Sequence, residues 1–381
     1  MRIETLEARL IKPTLVKAFP LGEVKGHPRI VGPQRDMIAL QAESTNGYRG
    51  WATIDTLPFP FYNPESTFEA WELLQRVGRN VVGVDMGDAE EIVDRLGPIV
   101  GHNIFKAGFA NLFFDIDAQA KDVPLYRLVG GMNRTVEVGI SIPKSASPEE
   151  IERQIAQGFR RIKIKVGPSY DDFKKVAQIR QTYPLLLLMV DANSSFDHNN
   201  GDHMNILKAF GELNLLMIEQ PLAHDDIRHH VKLQQMFYRN QIPGRICLDE
   251  SIETIDHMDQ AIKGGIPIIN IKIARVGGLP IAKRMIEMAE SEGVATWVGG
   301  MLEPTPSKAH SLAIATHPGV NLPSDISGTA AYFKEGQDPV VEPMVRDGGY
   351  IHVKDVPGRG WDVDKNILQN ITKSFIVFKS K

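Results

Sequence analysis

Cysteine is nearly absent: Cys247 is the only one among 381 residues, so no disulfide can form within the chain. It sits in the apolar run Ile246-Cys-Leu and reads as a packing residue, which points to a reducing compartment. Long hydrophobic runs are also missing. The longest, Leu185–Val190, is far too short to span a membrane, and Met1-Arg-Ile-Glu-Thr-Leu-Glu lacks the charged-then-apolar pattern of a signal peptide. A cytoplasmic protein is expected. There is no excess of positive charge: the formal net charge of −4 offers no electrostatic footprint for nucleic acid or an anionic membrane. No Gly-x-Gly-x-x-Gly opens a helix, which tells against a doubly wound dinucleotide-binding sheet. These absences leave a small molecule as the expected partner.

The chain is long enough for one large core and a second, smaller domain. Residues up to about Gly50 alternate as strands do, as in Met37-Ile-Ala-Leu-Gln-Ala-Glu. The Gly/Pro-rich stretch from Pro20 to Pro33 reads as a mobile loop. From Ser66 to Val129 the pattern is helical, clearest over Phe105–Lys121, and Val129-Gly-Gly closes it. After Gly131 the rhythm changes. Apolar or β-branched runs recur at Thr135–Ile142, Arg161–Val166, Leu185–Val190, Leu215–Ile218, Arg245–Leu248, Pro267–Ile273, Ala295–Val298 and Gly319–Leu322, with charged helical stretches between them. Eight strand–helix units predict an α/β fold, a TIM-type (β/α) barrel with its site at the C-terminal strand ends. The expected organisation is an N-terminal α+β capping domain over residues 1–130, a barrel over 131–344, and a segment, 345–381, that rejoins the cap.

Within this frame several residues are too polar for where they stand. Ile162-Lys-Ile-Lys-Val puts Lys163 and Lys165 on one strand face and the apolar residues on the other. An edge strand protected by lysines would look the same. The third, fourth and fifth runs end in Asp191, Glu219 and Asp249, equivalent positions on adjacent strands. Any one of these could be a helix N-cap; three in succession suit a hard divalent cation, Mg2+ or Mn2+. Ile269-Asn-Ile-Lys-Ile places Lys272 on a strand opposite the first lysine pair in an eight-stranded ring. This layout suits removal of the weakly acidic proton beside a carboxylate, with a metal ion stabilising the enediolate. A lysine acts as base only when neutral, and its charged neighbour, the metal and burial are expected to lower its pKa.

These residues resemble the enolase superfamily in its muconate-lactonizing-enzyme subgroup, and the resemblance spans nearly the whole chain. It is carried by Asp117-Ala-Gln-Ala-Lys with Leu128-Val-Gly-Gly, by Lys163-Ile-Lys165, Val190-Asp-Ala-Asn, Ile218-Glu-Gln-Pro, Leu248-Asp-Glu-Ser and Ile271-Lys272. It implies Lys165 as acid/base, Lys163 as its supporting neighbour, Lys272 as the opposite lysine, and Asp191, Glu219 and Asp249 as Mg2+ ligands in a homo-oligomer. Met217-Ile-Glu-Gln-Pro-Leu with Asp225-Asp226, Arg275-Val-Gly-Gly-Leu and Gly299-Gly-Met-Leu-Glu are most similar to the branch of o-succinylbenzoate synthases and N-acylamino acid racemases. That branch implies a lyase or isomerase and a place in menaquinone biosynthesis; a cycloisomerase or dipeptide epimerase is the alternative within the subgroup. Two stretches depart from the branch, Pro304-Thr-Pro-Ser-Lys-Ala-His310 and Gly50-Trp-Ala-Thr, and both are expected to line or cover the substrate pocket.

A Schiff-base lysine aldolase on the same barrel is the competing chemistry, but it leaves the three carboxylates without a role. No Asp–His pair falls on the sixth and seventh runs, which tells against a mandelate-racemase type of site, and His310 reads as structural. Asn193, Glu303 and Ser324 are expected to contact substrate, Glu250 to act from behind Asp249, and Pro20–Pro33 to be a lid.

Overall fold

The computed structural model describes residues 1–24, 27–143 and 145–380. Strand β1 (Ile3–Ile11) is followed by β2 (Phe19–Val24) and β3 (His27–Val31), which pair antiparallel. The expected loop over Pro20–Pro33 is therefore a two-stranded hairpin in its described residues; Lys25 and Gly26 lie outside them. Its glycines and prolines obscured the strands, because neither residue marks a strand interior. Then come β4 (Met37–Ser44) and β5 (Arg49–Ile54). A capping box, with Ser66 and Glu69 each satisfying the other's backbone N–H, starts the helix Thr67–Val77.

The helix Asn103–Ala120 is buried along most of its length and packs against β5 on one side and the helix Ile273–Val276 on the other. That second contact needs a glycine. Gly278 has φ +103 to +105 with its neighbour Gly277, and a Cβ on it would meet the Ala110 Cβ at 2.6 Å.

Beyond Gly130 and Gly131 lie the seven strands of a parallel sheet. The first expected run is split: β6 (Thr135–Glu137) joins a small antiparallel sheet, and only β7 (Ile140–Ile142) enters the large one. Next are β8 (Arg161–Lys165), β9 (Leu187–Asp191), β10 (Ile218–Glu219), β11 (Ile246–Leu248), β12 (Ile268–Ile271) and β13 (Ala295–Val298), adjacent in sequence order. The eighth run, Gly319–Leu322, does not form a strand. Its segment makes single parallel bridges, Thr296 with Val320 and Val138 with Ser324, at the two margins of the sheet. Pro318 and Pro323 flank it without N–H groups, and Asn321 substitutes its side-chain oxygen as acceptor for the Thr296 N–H at 3.2 Å.

Strand alternation sorts the side chains. Ile162, Ile164, Leu188, Val190, Ile218, Ile246 and Ile269 face the helices and join the main core. On the opposite face Met189, Met217, Cys247, Ile268 and Trp297 form a separate apolar cluster, with the Trp297 indole N–H 3.4 Å from the Cys247 sulfur. This cluster floors the charged layer above it. Two short strands, β14 (Arg346–Asp347) and β15 (Tyr350–His352), pair with each other and, through β15, with β6. The last strand, β16 (Thr372–Lys379), pairs antiparallel with β1, giving a four-stranded sheet of order β16-β1-β4-β5. No helix among the described residues is long and apolar enough to cross a membrane.

Candidate active site

Above the apolar floor the strand ends carry charge. Lys165 pairs in register with Asp191, and Asp191 with Glu219, so β8, β9 and β10 deliver their polar ends at one level. Gln220, at φ 37 just past β10, accepts the Asp249 N–H at 2.9 Å and donates to the Ser251 hydroxyl at 2.7 Å. The motifs Ile218-Glu-Gln-Pro and Leu248-Asp-Glu-Ser are thereby clipped together. Gln220 sets the height of Asp249 beside Glu219.

A cavity opens beside these strand ends. Lys163, Lys165, Asp191, Asn193, Asp249 and Lys272 all line it, and Phe19, Leu21, Leu57 and Tyr62 close it from the N-terminal part of the chain. Lys163 lies 3.0 Å from Asp325, 3.2 Å from Glu219 and 3.6 Å from Asp191. Each such contact is worth roughly 5 kcal/mol at an effective dielectric of about 20. Burial opposes the charge, by several kcal/mol per ion, but the carboxylates outweigh it and hold the Lys163 ammonium well above its usual pKa. Lys272 is raised likewise: burial works against it, and Asp249, 2.8 Å away, prevails. The nearest charges to both of these ammonium groups are carboxylates.

Lys165 donates to the Asn193 amide oxygen at 2.5 Å and stands 3.6 Å from Asp191. Asn193 in turn donates to Glu250 at 3.3 Å. Glu250 departs from expectation: it lines the cavity, and its Oε2 has no hydrogen-bond partner among the described residues. The reason is local. Strand β11 ends at Leu248, so strict alternation no longer governs residue 250. Burial, followed by repulsion from Asp249 and Asp191, pushes its carboxyl up to about 7. Burial and the charges of Asp191 and Asp249 push Glu219 up to about 8, although Lys163 opposes them. Asp249 goes the other way: burial would raise it, but Lys272 and Arg275 hold it well below the usual carboxylate range.

Four buried carboxylates, Asp191, Glu219, Asp249 and Glu250, stand close together here. With an orphaned Glu250 oxygen and an all-oxygen donor set on three consecutive strand ends, the residues present fit a hard divalent cation. Asp191, Glu219 and Asp249 could be its donors, with Glu250 adjacent.

Of the expected substrate contacts, Asn193 and Glu303 line the cavity and Ser324 does not. Ser324 is buried, its hydroxyl accepting the Val298 N–H at 3.2 Å. The neighbouring Asp325 faces the cavity instead, accepting from Ser141 at 2.9 Å as well as contacting Lys163. Asp325 stands three residues past Leu322, with Pro323 and Ser324 between, so it is not the polar end of an apolar run as Asp191, Glu219 and Asp249 are. The Glu303 carboxylate is held by the Met301 N–H at 2.6 Å and the Ser311 hydroxyl at 3.2 Å. Of the two departing stretches, Pro304–His310 reaches the cavity through Lys308, whereas Gly50–Thr53 does not; Gly50 lies against Ile116 and Trp51 belongs to a separate core. His310 is fully buried and packed, as a structural residue would be.

Three further residues escaped the sequence reading. Arg275 is fully buried, pairs with Asp249, and donates to the Tyr62 hydroxyl, the Asn270 carbonyl and the Ile252 carbonyl. Tyr62 places its ring 4.6 Å from the Lys272 ammonium. Lys308 lines the cavity with its ammonium 4.9 Å from the ring of Tyr332. Over the mouth, Arg29 of the hairpin donates to the carbonyls of Asn193 at 2.8 Å and Phe61 at 2.9 Å.

A conserved-domain model described as enolase C-terminal domain-like matches residues 146–367. An o-succinylbenzoate synthase from Geobacillus stearothermophilus is 36% identical over 351 residues, covering 91% of each chain. An N-succinylamino acid racemase from Thermus thermophilus is 34% identical over 378 residues, covering 98% of each. The crystal structure of an enolase-superfamily member from Listeria innocua superposes with a TM-score of 0.90 at 27% identity, over 100% of this chain and 99% of that one. With lysines and carboxylates at the strand ends and relatives matching from end to end, the chain is an enzyme of the enolase superfamily.

Proposed function

We propose that this enzyme removes the proton beside a substrate carboxylate, as an o-succinylbenzoate synthase, an N-acylamino acid racemase, or both. The observation that carries the reading is the arrangement of Lys165 and Lys272. They come from β8 and from the residue after β12, line one cavity, and have the acidic strand ends of β9, β10 and β11 between them. Relatives bearing both names support the same pair of reactions.

In this reading Lys165 takes the α-proton, oriented by its bond to Asn193, while Lys163 stays protonated among Asp325, Glu219 and Asp191 and keeps positive charge beneath the substrate. Lys272, held on Asp249, supplies a second ammonium from the other side of the cavity. Asp191, Glu219 and Asp249 would hold Mg2+ or Mn2+, which when bound supplies positive charge against the negative charge developing on the substrate carboxylate as the enediolate forms. Phe19, Leu21, Leu57 and Tyr62 exclude water from that charge. Lys308, an ammonium without a hydrogen-bond partner among the described residues, supports a substrate with a second anionic group. An o-succinylbenzoate precursor and an N-succinylamino acid both carry one.

We read residues 1–130 with the C-terminal segment as a cap, and the seven-stranded sheet with its bridging eighth segment as a closed barrel acting in the cytoplasm within menaquinone biosynthesis. A homo-oligomer fits the same reading. The decisive experiment presents the enzyme and Mg2+ with the cyclohexadiene precursor and with N-succinylamino acids in D2O. Turnover of the first or deuterium exchange of the second supports the assignment; inertness to both overturns it.

A further inference from the structure

Outside the cavity, His198, Asp226 and His229 form the one group of three metal-type donors among the described residues whose ligand atoms all lie within 4.8 Å of one another. We propose that they form a second cation site, selective for Zn2+ or a similar borderline metal rather than Mg2+. Two different segments build it. His198 lies in the turn that follows β9, beyond Asn193, and Asp226 caps the helix Ile227–Arg239, which carries His229 in its first turn.

The geometry is specific. The two imidazole rings stack face to face, centroids 3.7 Å apart and 10° from parallel, with both Nδ1 atoms beside the same carboxylate; because a nitrogen lone pair lies in its ring plane, His198 has to turn about its side-chain bonds to share an ion with His229. His229 Nδ1 is 2.8 Å from each Asp226 oxygen, and His198 Nδ1 is 3.3 Å from Oδ2. Asp226 Oδ1 also accepts the His229 backbone N–H at 3.0 Å, so Oδ2 is the oxygen left for an ion. The side chains are 30%, 17% and 29% exposed, open enough for an ion to enter and enclosed enough to fix the donors.

Donor chemistry decides the metal. Two imidazole nitrogens and one carboxylate oxygen suit zinc and its neighbours, whereas Mg2+ keeps oxygen ligands and water. Three protein donors leave a position for water, so the site is an exchangeable one. The helix N-terminus behind Asp226 disfavours a cation, which the carboxylate must offset, and this limits the affinity.

An ion there would tie the turn after β9 to the turn after β10. Backbone bonds already join them, Ser194 N–H to the Gln220 carbonyl at 2.8 Å and Phe196 N–H to the Pro221 carbonyl at 3.0 Å. The same turn begins with Asn193, the partner of Lys165 and Glu250. None of the three donors lines the cavity, so turnover supported by Mg2+ does not require zinc.

The test uses the full chain, stripped of metal and returned to excess Mg2+, titrated with Zn2+ by calorimetry and with Co2+ by its visible spectrum. His198→Ala and His229→Ala both leave the Asp226 cap oxygen in place. Each variant should bind one zinc fewer per chain than the wild type, lose the cobalt band of a nitrogen-bound site, and lose the rise in melting temperature on adding zinc. Retained Mg2+-supported activity shows that the variants are folded. Equal zinc stoichiometry in wild type and both variants, or no zinc taken up by the wild type, overturns the proposal.

Discussion

The Lys308 ammonium lies 4.9 Å from the ring of Tyr332 and has no hydrogen-bond acceptor among the described residues. Burial lowers its pKa, with Glu303 and Asp338 acting against that shift. A charged group so placed loses hydration that an anionic substrate group would restore. Lys308→Met should lower kcat/KM for an N-succinylamino acid by roughly 10- to 100-fold, as loss of a hydrogen bond to a charged group does. For the N-acetyl analogue, which lacks the second carboxylate, the change should be small. Equal losses with both substrates would place the role of Lys308 in packing.

Chelation should abolish activity, and Mg2+ or Mn2+ should restore it. Asp191→Asn keeps the shape of the side chain and removes one of the crowded charges, so it should cost at least about a hundredfold in kcat, the scale of losing an electrostatic stabiliser. Undiminished turnover by Asp191→Asn, or after exhaustive chelation, would remove the metal from the mechanism.

For a racemase, Lys165→Ala and Lys272→Ala should each reduce interconversion by roughly 100- to 10,000-fold, the usual contribution of a proton carrier. In D2O each single variant should still exchange the α-proton of one enantiomer through its surviving lysine. A synthase alone needs Lys165 as base and Lys272 only as a charge. Loss of exchange for both enantiomers in Lys272→Ala would show that this lysine does more than serve one of them.

The hairpin approaches the site at Gly22. Its φ is +94, and a Cβ there would meet the Asn193 Cβ at 2.8 Å. Gly22→Ala should therefore displace Asn193 from Lys165 and lower kcat, with a smaller effect on the melting temperature, since the hairpin lies at the rim. A variant with native kcat would mean that the hairpin yields without disturbing Asn193.

His310 makes stability depend on pH. It is fully buried, with Nδ1 3.0 Å from the Ser307 carbonyl, and burial lowers its pKa although Asp115 opposes this. The unfolded chain binds this proton more readily than the folded one, so its stabilising contribution is full above the ordinary histidine value of about 6.5 and declines as pH falls below it. Denaturant unfolding between pH 7 and 5 should show this slope, and His310→Gln should flatten it. An unchanged slope would assign the acid sensitivity to other groups.

Much of the site was legible because strands impose a period of two. Lys163 and Lys165 share a face, and Asp191, Glu219 and Asp249 stand out as polar ends of apolar runs. The rule stopped working where the strands stop: Glu250 turns into the cavity just past β11, and Asp325 belongs to a segment that bridges without forming a strand. Arg275 reaches Asp249, and Lys308 the cavity, from helices through long side chains, whose direction no local pattern reports. Tyr62 meets Asp249 across 187 residues of sequence. The hairpin escaped because its glycines and prolines are what loops also contain.

The pairing of β1 with β16 sets an order of events during synthesis. β1 covers residues 3–11 and β16 covers 372–379, so one edge of β1 waits through about 360 residues for its partner. During that interval β1 can pair only with β4, and its other edge remains a template for strands of other chains. Such sequence-distant pairing is slow to form. The sheet containing β1 can therefore be completed only after every strand of the large parallel sheet has been made, and until then the growing chain carries an open strand edge at β1.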